Sequence, residues 1–427
     1  MLNLKIGRLN IGDGNGLLRR RSLWYAFGVL ASTASTYILF LCFTMRASPE
    51  EVGLFALVAA AVTTLVQFLD GVSSQRITQS HPQLVRLNRD EDQAVNFLNV
   101  GRLVILIAAA SALSIVWLLF DSNLGPYVGI LLLGQGAYAY AVSTRIYGDS
   151  PVPLVRLQFF NFLIFCISSA LVLTLNSELS AASLLLISGI SSTLASLPFL
   201  FCDINRRRKM THKFRQEWEL LFSTSWRNIA GLVAYQAVNA LGGATDSLLT
   251  SLSGLRAAAE YQIIRRPMLA LSSLNVALGQ TAINKYSRGD TRLWKRSLLK
   301  LLPVLVAWPL MGFIGLALVR FLTPPAYEIS ILAGELLALS FAIGAFLQIT
   351  GTVLLVRMQT TALFLAVVGR IAVLVLSAVL TVPSLGVVGI GLSMVIANVV
   401  LLGTHLAVLI SGDRKLLRTS VSGDNAV

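Results

Sequence analysis

The sequence predicts an all-α polytopic membrane protein, with about twelve transmembrane helices in two six-helix halves around a central cavity. Three observations carry that prediction. Hydrophobic residues fill 55% of the 427 positions and charged residues only 13%, and mean hydropathy is +0.74. Apolar runs long enough to cross a bilayer recur from Ser22 to Ile410 with short polar breaks between them. Those breaks alternate between strongly basic and poor in lysine and arginine, the pattern left when lysine and arginine are retained on the cytoplasmic side. A soluble enzyme domain is excluded, because no stretch is both long and polar enough to fold apart from the membrane.

The elements follow in order. Residues 1–21 are polar and end in Arg19-Arg20-Arg21. They resemble a signal-peptide leader, but the next apolar run is too long and lacks a small-residue cleavage site, so it is read as a retained first helix. Spans are expected at 23–44, 52–72, 102–120, 126–145, 157–175 and 181–202 in the first half, residues 1–204. A basic linker, 205–224, leads to the second half, 225–427, with spans at 225–249, 258–281, 298–320, 330–356, 361–381 and 385–410. Arginine and lysine concentrate at 81–102, 145–156, 205–227, 285–300, 357 and 414–418; Arg46, Arg256 and Arg320 are the exceptions. Both termini are therefore expected in the cytoplasm, with the protein in a bacterial inner membrane. The same rule accounts for the net charge of +14 without a nucleic-acid partner. Cys42, Cys166 and Cys202, like His81, His212 and His405, have no metal-ligand spacing.

A weak internal similarity supports the two halves. Ser22-Leu23-Trp24 matches Ser225-Trp226, and Glu51-Val52-Gly53-Leu54-Phe55 matches Ala258-Ala259-Glu260-Tyr261.

The polar residues inside the spans are the functional candidates. Arg265 and Arg266 stand side by side in the eighth span, where one arginine costs about 3 kcal/mol or more. Adjacent positions lie about 100° apart on a helix, so one lipid-free face does not hide both. Pro267 follows and permits a kink. Arg370 sits near the middle of the eleventh span, with Glu335 or Asp246 as candidate ion-pair partners. In the seventh span Gln236, Asn239, Gly243 and Asp246 recur at helical spacing, and Asn275 shares a face of the eighth with Arg265. Arg265, Arg266 and Arg370 are candidates for binding an anion; Gln236, Asn239 and Asn275 are candidates for lining a cavity. Asp246 and Glu335 are candidates for carrying a coupling proton or sodium ion. No cofactor and no metal are expected. The first half has milder signals in Tyr25, Ser32, Thr36, Gln135, Tyr138 and Tyr140. No phosphate-binding loop, nucleophile elbow or zinc-binding helix occurs, and the exterior loops are too short for a catalytic domain, so no enzyme is expected.

Gly53-Leu54-Phe55-Ala56-Leu57 through Phe68-Leu69-Asp70-Gly71-Val72-Ser73, and Ala244-Thr245-Asp246-Ser247-Leu248-Leu249 with Ala259-Glu260-Tyr261-Gln262-Ile263-Ile264-Arg265, carry a resemblance. With the two-half layout, they resemble the lipid-linked oligosaccharide flippases. These share a superfamily with the multidrug and toxin extrusion transporters. Glu260 stands where that family commonly has a small residue. The resemblance implies translocation of an undecaprenyl-pyrophosphate-linked oligosaccharide from the cytoplasmic to the periplasmic leaflet, for O-antigen or exopolysaccharide synthesis. Its implied partners are that lipid-linked sugar, membrane lipids and other polysaccharide-assembly proteins. A pyrophosphate suits guanidinium donors, which bind its oxygens in pairs. Three alternatives stand beside it: a cation-coupled drug antiporter of the same superfamily, a membrane polysaccharide polymerase or ligase, and a non-transporting assembly partner.

Overall fold

The computed structural model describes residues 14–86, 124–146, 152–175, 178–207, 226–286, 294–357 and 359–423. A chain in lipid must satisfy its backbone hydrogen bonds within each segment, so these residues form helices, with no strand among the described residues. In order they are α1 (Gly14–Thr44), α2 (Pro49–Arg86), α3 (Gly125–Ile146), α4 (Val152–Thr174), α5 (Ala181–Arg207) and α6 (Trp226–Ser251). There follow α7 (Leu255–Tyr286), α8 (Trp294–Leu299), α9 (Val304–Leu322), α10 (Ile331–Val356), α11 (Thr360–Leu385) and α12 (Val387–Gly423). Among the described residues seven helical segments, from Pro49–Leu69 to Val387–Asp413, are long and apolar enough to cross a membrane. The protein is a polytopic all-α membrane protein.

The span expected at 102–120 and most of the basic linker lie outside the described residues. Elsewhere the helices overrun the apolar runs: α2 continues to Arg86 and α12 to Gly423. Hydropathy marks where lipid ends, whereas a helix continues until its hydrogen bonding is interrupted. The short α8 was not expected as a separate element. It breaks from α9 at residues 300–303, where Pro303 opens the next helix. Hydroxyl groups within the spans bond back to carbonyls of the preceding turn, as Thr193 does to Gly189 and Thr352 to Gln348.

Helices α1, α3, α4 and α5 pack mainly within the first group and α6–α12 mainly among themselves; α2 joins the two, running against α6 and α7, and α1 runs against α7. The first group's apolar core includes Leu39, Phe43, Val52, Phe55 and Leu131, all nearly inaccessible. That core also takes in four residues from the second group: Ala259, Ile263, Val319 and Tyr327. The second group has its own core around Tyr261, Ile264, Met268, Leu337 and Met394. The seam is thus joined by shared packing at the end that carries loops 45–48, 252–254 and 323–330, which the charge pattern assigns to the exterior. At its closest point a Cβ placed on Gly53 of α2 would lie 2.1 Å from the Leu255 carbonyl oxygen of α7. Only glycine permits that approach.

Candidate functional site

Helix α7 occupies the seam and shows a different face to each group. Ala259, Ile263 and Arg266, spaced by four and three residues, turn toward α1 and α2; Tyr261, Ile264 and Met268, with Arg265, turn toward the second group's core. The helical pitch does this unaided, because adjacent side chains diverge by about 100°. The two arginines therefore sit in different surroundings.

Arg265 is neutralised. Its Nε donates to Asp246 Oδ2 at 2.9 Å and its Nη2 donates to the Gly243 carbonyl at 3.1 Å. The Tyr261 hydroxyl donates to the same Asp246 oxygen at 2.7 Å. The Ser247 backbone N–H donates to Oδ1 at 2.7 Å, and Gln262 Nε2 donates to Ser247 Oγ at 2.8 Å. The Asp246 side chain is 3% exposed against 18% for Arg265, so the carboxylate is interior while the guanidinium reaches the edge of a cavity.

Arg266 is not neutralised: among the described residues it meets no carboxylate. Its guanidinium carbon lies 3.8 Å from the centroid of the Phe40 ring and 5.8 Å from that of Phe55. An aromatic face offers a cation only about 0.5–2 kcal/mol, too little to offset its transfer from water.

Both arginines line one cavity of about 480 Å³, formed mainly by α1–α5 and closed on one side by α6 and α7. No aspartate or glutamate is among its described lining residues. Hydroxyl and amide groups cover much of the remaining wall. Thr63 donates to Gln135 Oε1 at 3.1 Å, Asn161 Nδ2 donates to Ser32 Oγ at 2.7 Å, and Tyr138 and Ser32 share a 3.0 Å hydrogen bond. The Tyr37 hydroxyl, also on this wall, is buried with no hydrogen-bond partner. Aromatic rings of Phe40, Phe43 and Phe55 complete the wall. No group of side chains able to hold a metal ion occurs among the described residues.

The remaining site candidates from the second half, Gln236, Asn239, Asp246, Asn275, Glu335 and Arg370, are not among the described lining residues of this cavity. Arg370 lies in the second group, where its Nε donates to Asn398 Oδ1 at 2.8 Å. Asn398 Nδ2 donates onward to Ser340 Oγ at 2.8 Å. Neither expected partner is in place: Arg370 forms no ion pair with Asp246 or Glu335, and an amide on α12 serves instead. Glu335 is half-buried and forms no ion pair among the described residues. Gln236 is buried and Asn239 exposed. Asn275 donates to the Phe341 carbonyl at 2.7 Å and leaves its own oxygen without a partner. The cavity wall instead comes from the first half, where Ser32, Thr36, Gln135 and Tyr138 were the milder signals. Tyr37, Gln67 and Asn161 were missed. The detectable signal for the last two was an amide inside an apolar span, which is costly in lipid unless it faces polar company.

No family model and no curated sequence matches the chain. Solved structures do. A eukaryotic transporter of the multidrug and toxin extrusion (MATE) type, AtDTX14, superposes with a TM-score of 0.62 at 14% identity, covering 93% of this chain and 96% of its own. A MATE family transporter of the MOP superfamily, solved in an outward-facing conformation, gives 0.60 at 14% identity, with 93% and 97% covered. A MOP superfamily transporter from Pyrococcus furiosus, described as having a binding pocket of reverse polarity, gives 0.54 at 12% identity, with 91% and 94% covered. At such identities the likeness concerns the fold: this chain has the MATE-type architecture over more than nine-tenths of its length.

Proposed function

We propose that the protein is a membrane transporter that exposes the seam cavity alternately to the two sides and carries a substrate bearing an anionic group. One observation carries the anionic assignment: Arg265 and Arg266 both line the cavity, and among the described residues no carboxylate does and only Arg265 has a counter-charge. Full-length likeness to MATE transporters supports transport itself.

The finer proposal is a lipid-linked oligosaccharide, its pyrophosphate held by Arg266 with Arg265 and its sugars by the hydroxyl and amide wall. Guanidinium groups bind phosphate oxygens in pairs, and the rings of Phe40 and Phe55 give sugar faces a surface to pack on. In this proposal the protein resides in a bacterial inner membrane with both termini cytoplasmic, and flips its cargo outward for polysaccharide assembly. Asp246 is then the counter-ion of Arg265, and Arg370 braces the second group through Asn398.

A second reading is a cation-coupled drug antiporter. The MATE structures favour it more directly than they favour the flippase, and a cavity of about 480 Å³ is drug-sized. Purified protein in proteoliposomes separates the two. A fluorescent polyprenyl-pyrophosphate sugar should be translocated by the wild type and not by Arg266→Glu, which reverses the free charge. Efflux of a cationic dye by the wild type, unchanged or improved in Arg266→Glu, would instead establish the antiporter.

A further inference from the structure

The loop between α9 and α10 places one of its residues inside the other group's core. Tyr327 is 6% exposed and packs in the cluster that also contains Phe43, Val52 and Phe55, and Phe43 and Phe55 line the cavity directly. Val319, at the end of α9, belongs to the same cluster, and Ile329 of the loop packs against it. Two side chains of α7 hold the loop in place. Arg256 Nη2 donates to the Ala326 carbonyl at 2.9 Å, and Glu260 Oε1 accepts the Glu328 backbone N–H at 3.1 Å. Arg256 and Glu260 are joined by a 3.2 Å ion pair. Helix α7 in turn abuts α2 at Gly53 and Leu255. Burial, with the nearby Glu50 and Glu260 carboxylates, pushes the Tyr327 phenol up to about 12, so the ring sits uncharged in an apolar core. Its hydroxyl has no hydrogen-bond partner, so the ring is the part that fills space.

We propose that residues 323–330 form a strap that seals the cavity at this end, with Tyr327 as its anchor, and that the strap lifts out of the α1–α5 core when this end opens. The inference rests on the alternating-access reading above. Every contact named crosses between the two groups or holds the loop that does, so separation at this end must break the Tyr327 packing and the Gly53–Leu255 contact together. The contact tolerates no side chain on Gly53, whereas the core tolerates loss of the Tyr327 hydroxyl but not of the ring.

Thiol accessibility tests this without any substrate. A single cysteine at Thr36, on the cavity wall, would be placed in a Cys42→Ala, Cys166→Ser, Cys202→Ser background. An impermeant maleimide would then be added from each side of oriented vesicles. The intact strap should make labelling from the strap side slow. Tyr327→Ala and Gly53→Val should each raise that rate about tenfold or more, while Tyr327→Phe leaves it unchanged and Arg256→Gln gives an intermediate rise. Equal rates in Tyr327→Ala and the parent, or equal rises in Tyr327→Ala and Tyr327→Phe, overturn the proposal. Should Gly53→Val fail to fold by size-exclusion chromatography, Tyr327→Ala against Tyr327→Phe decides it. A strap that lifts in a protein carrying neither class of cargo would sink the functional reading and leave this one standing.

Discussion

Arg265 and Arg266 are neighbours in sequence with opposite energetic standing, and mutation should separate them. Removing one partner of a buried ion pair leaves the other charge stranded, at about 3–5 kcal/mol. Arg265→Ala should therefore lower the melting temperature in detergent markedly, and the double variant Arg265→Met, Asp246→Leu should recover most of the loss. If the double variant is no better than the single, the pair is not the source of the stability. Arg266 has no such partner among the described residues, and Arg266→Ala should leave stability within about 1 kcal/mol while removing anion binding. Arg370 behaves like Arg265 at a different address. Asn398→Leu removes the acceptor that the structure shows for its Nε, and should cost more than the double variant Arg370→Met, Asn398→Leu. Melting curves of the three proteins settle it, and additive losses would show that the two side chains do not act as a unit.

Elements matter here through the faces they present. Helix α7, like α9, has residues in both groups' cores, and its first three turns place Arg266 on one side and Arg265 on the other. The polar wall is divided among α1, α3 and α4, which bring Ser32, Tyr138 and Asn161 into one hydrogen-bonded set. Asn161→Leu should weaken recognition of a hydroxyl-rich cargo by on the order of tenfold or more, because the remaining hydroxyls lose their partner. Binding of inorganic pyrophosphate, which lacks sugar hydroxyls, should be unaffected. A parallel loss of both would place Asn161 in the scaffold of the cavity instead. Two of the arginines that break the basic-loop pattern also find an explanation at this scale. Arg46 donates to the Leu173 carbonyl and Arg256 to that of Ala326, so each fastens a loop or helix end. Neither needs to act as a topology signal.

For the whole molecule, orientation is the property most directly open to measurement. A cysteine replacing Arg256 should react with an impermeant reagent from outside intact cells, and one replacing Arg288 only after the membrane is opened. The reverse result would invert the topology and place the strap on the cytoplasmic side. Much of the architecture was legible without coordinates, since helices lie at each expected span that is described, and seven helical segments among the described residues are long and apolar enough to cross a membrane. Helix ends were not, because α2 and α12 continue beyond the apolar runs. The location of the cavity was less legible still. The sequence pointed to the seventh and eighth spans through Gln236, Asn239 and Asn275, but the polar wall is built from single residues on several helices of the first half. Single hydroxyls and amides scattered through apolar spans look like ordinary packing until those helices are brought together.

By itself the sequence determined the class of solvent, the helical secondary structure and the anomaly at Arg265 and Arg266. Each depends only on local composition and helical pitch: lipid demands apolar spans with internal hydrogen bonding, and adjacent side chains must diverge. The tertiary structure decided which arginine is compensated. Asp246 lies 19 positions from Arg265 in the chain, and it is the packing of α6 on α7 that closes the pair. Packing across the seam likewise left Arg266 facing Phe40 and set Tyr327 in the opposite core. Charge balance in a low-dielectric interior depends on distances between helices, and sequence spacing does not contain those distances.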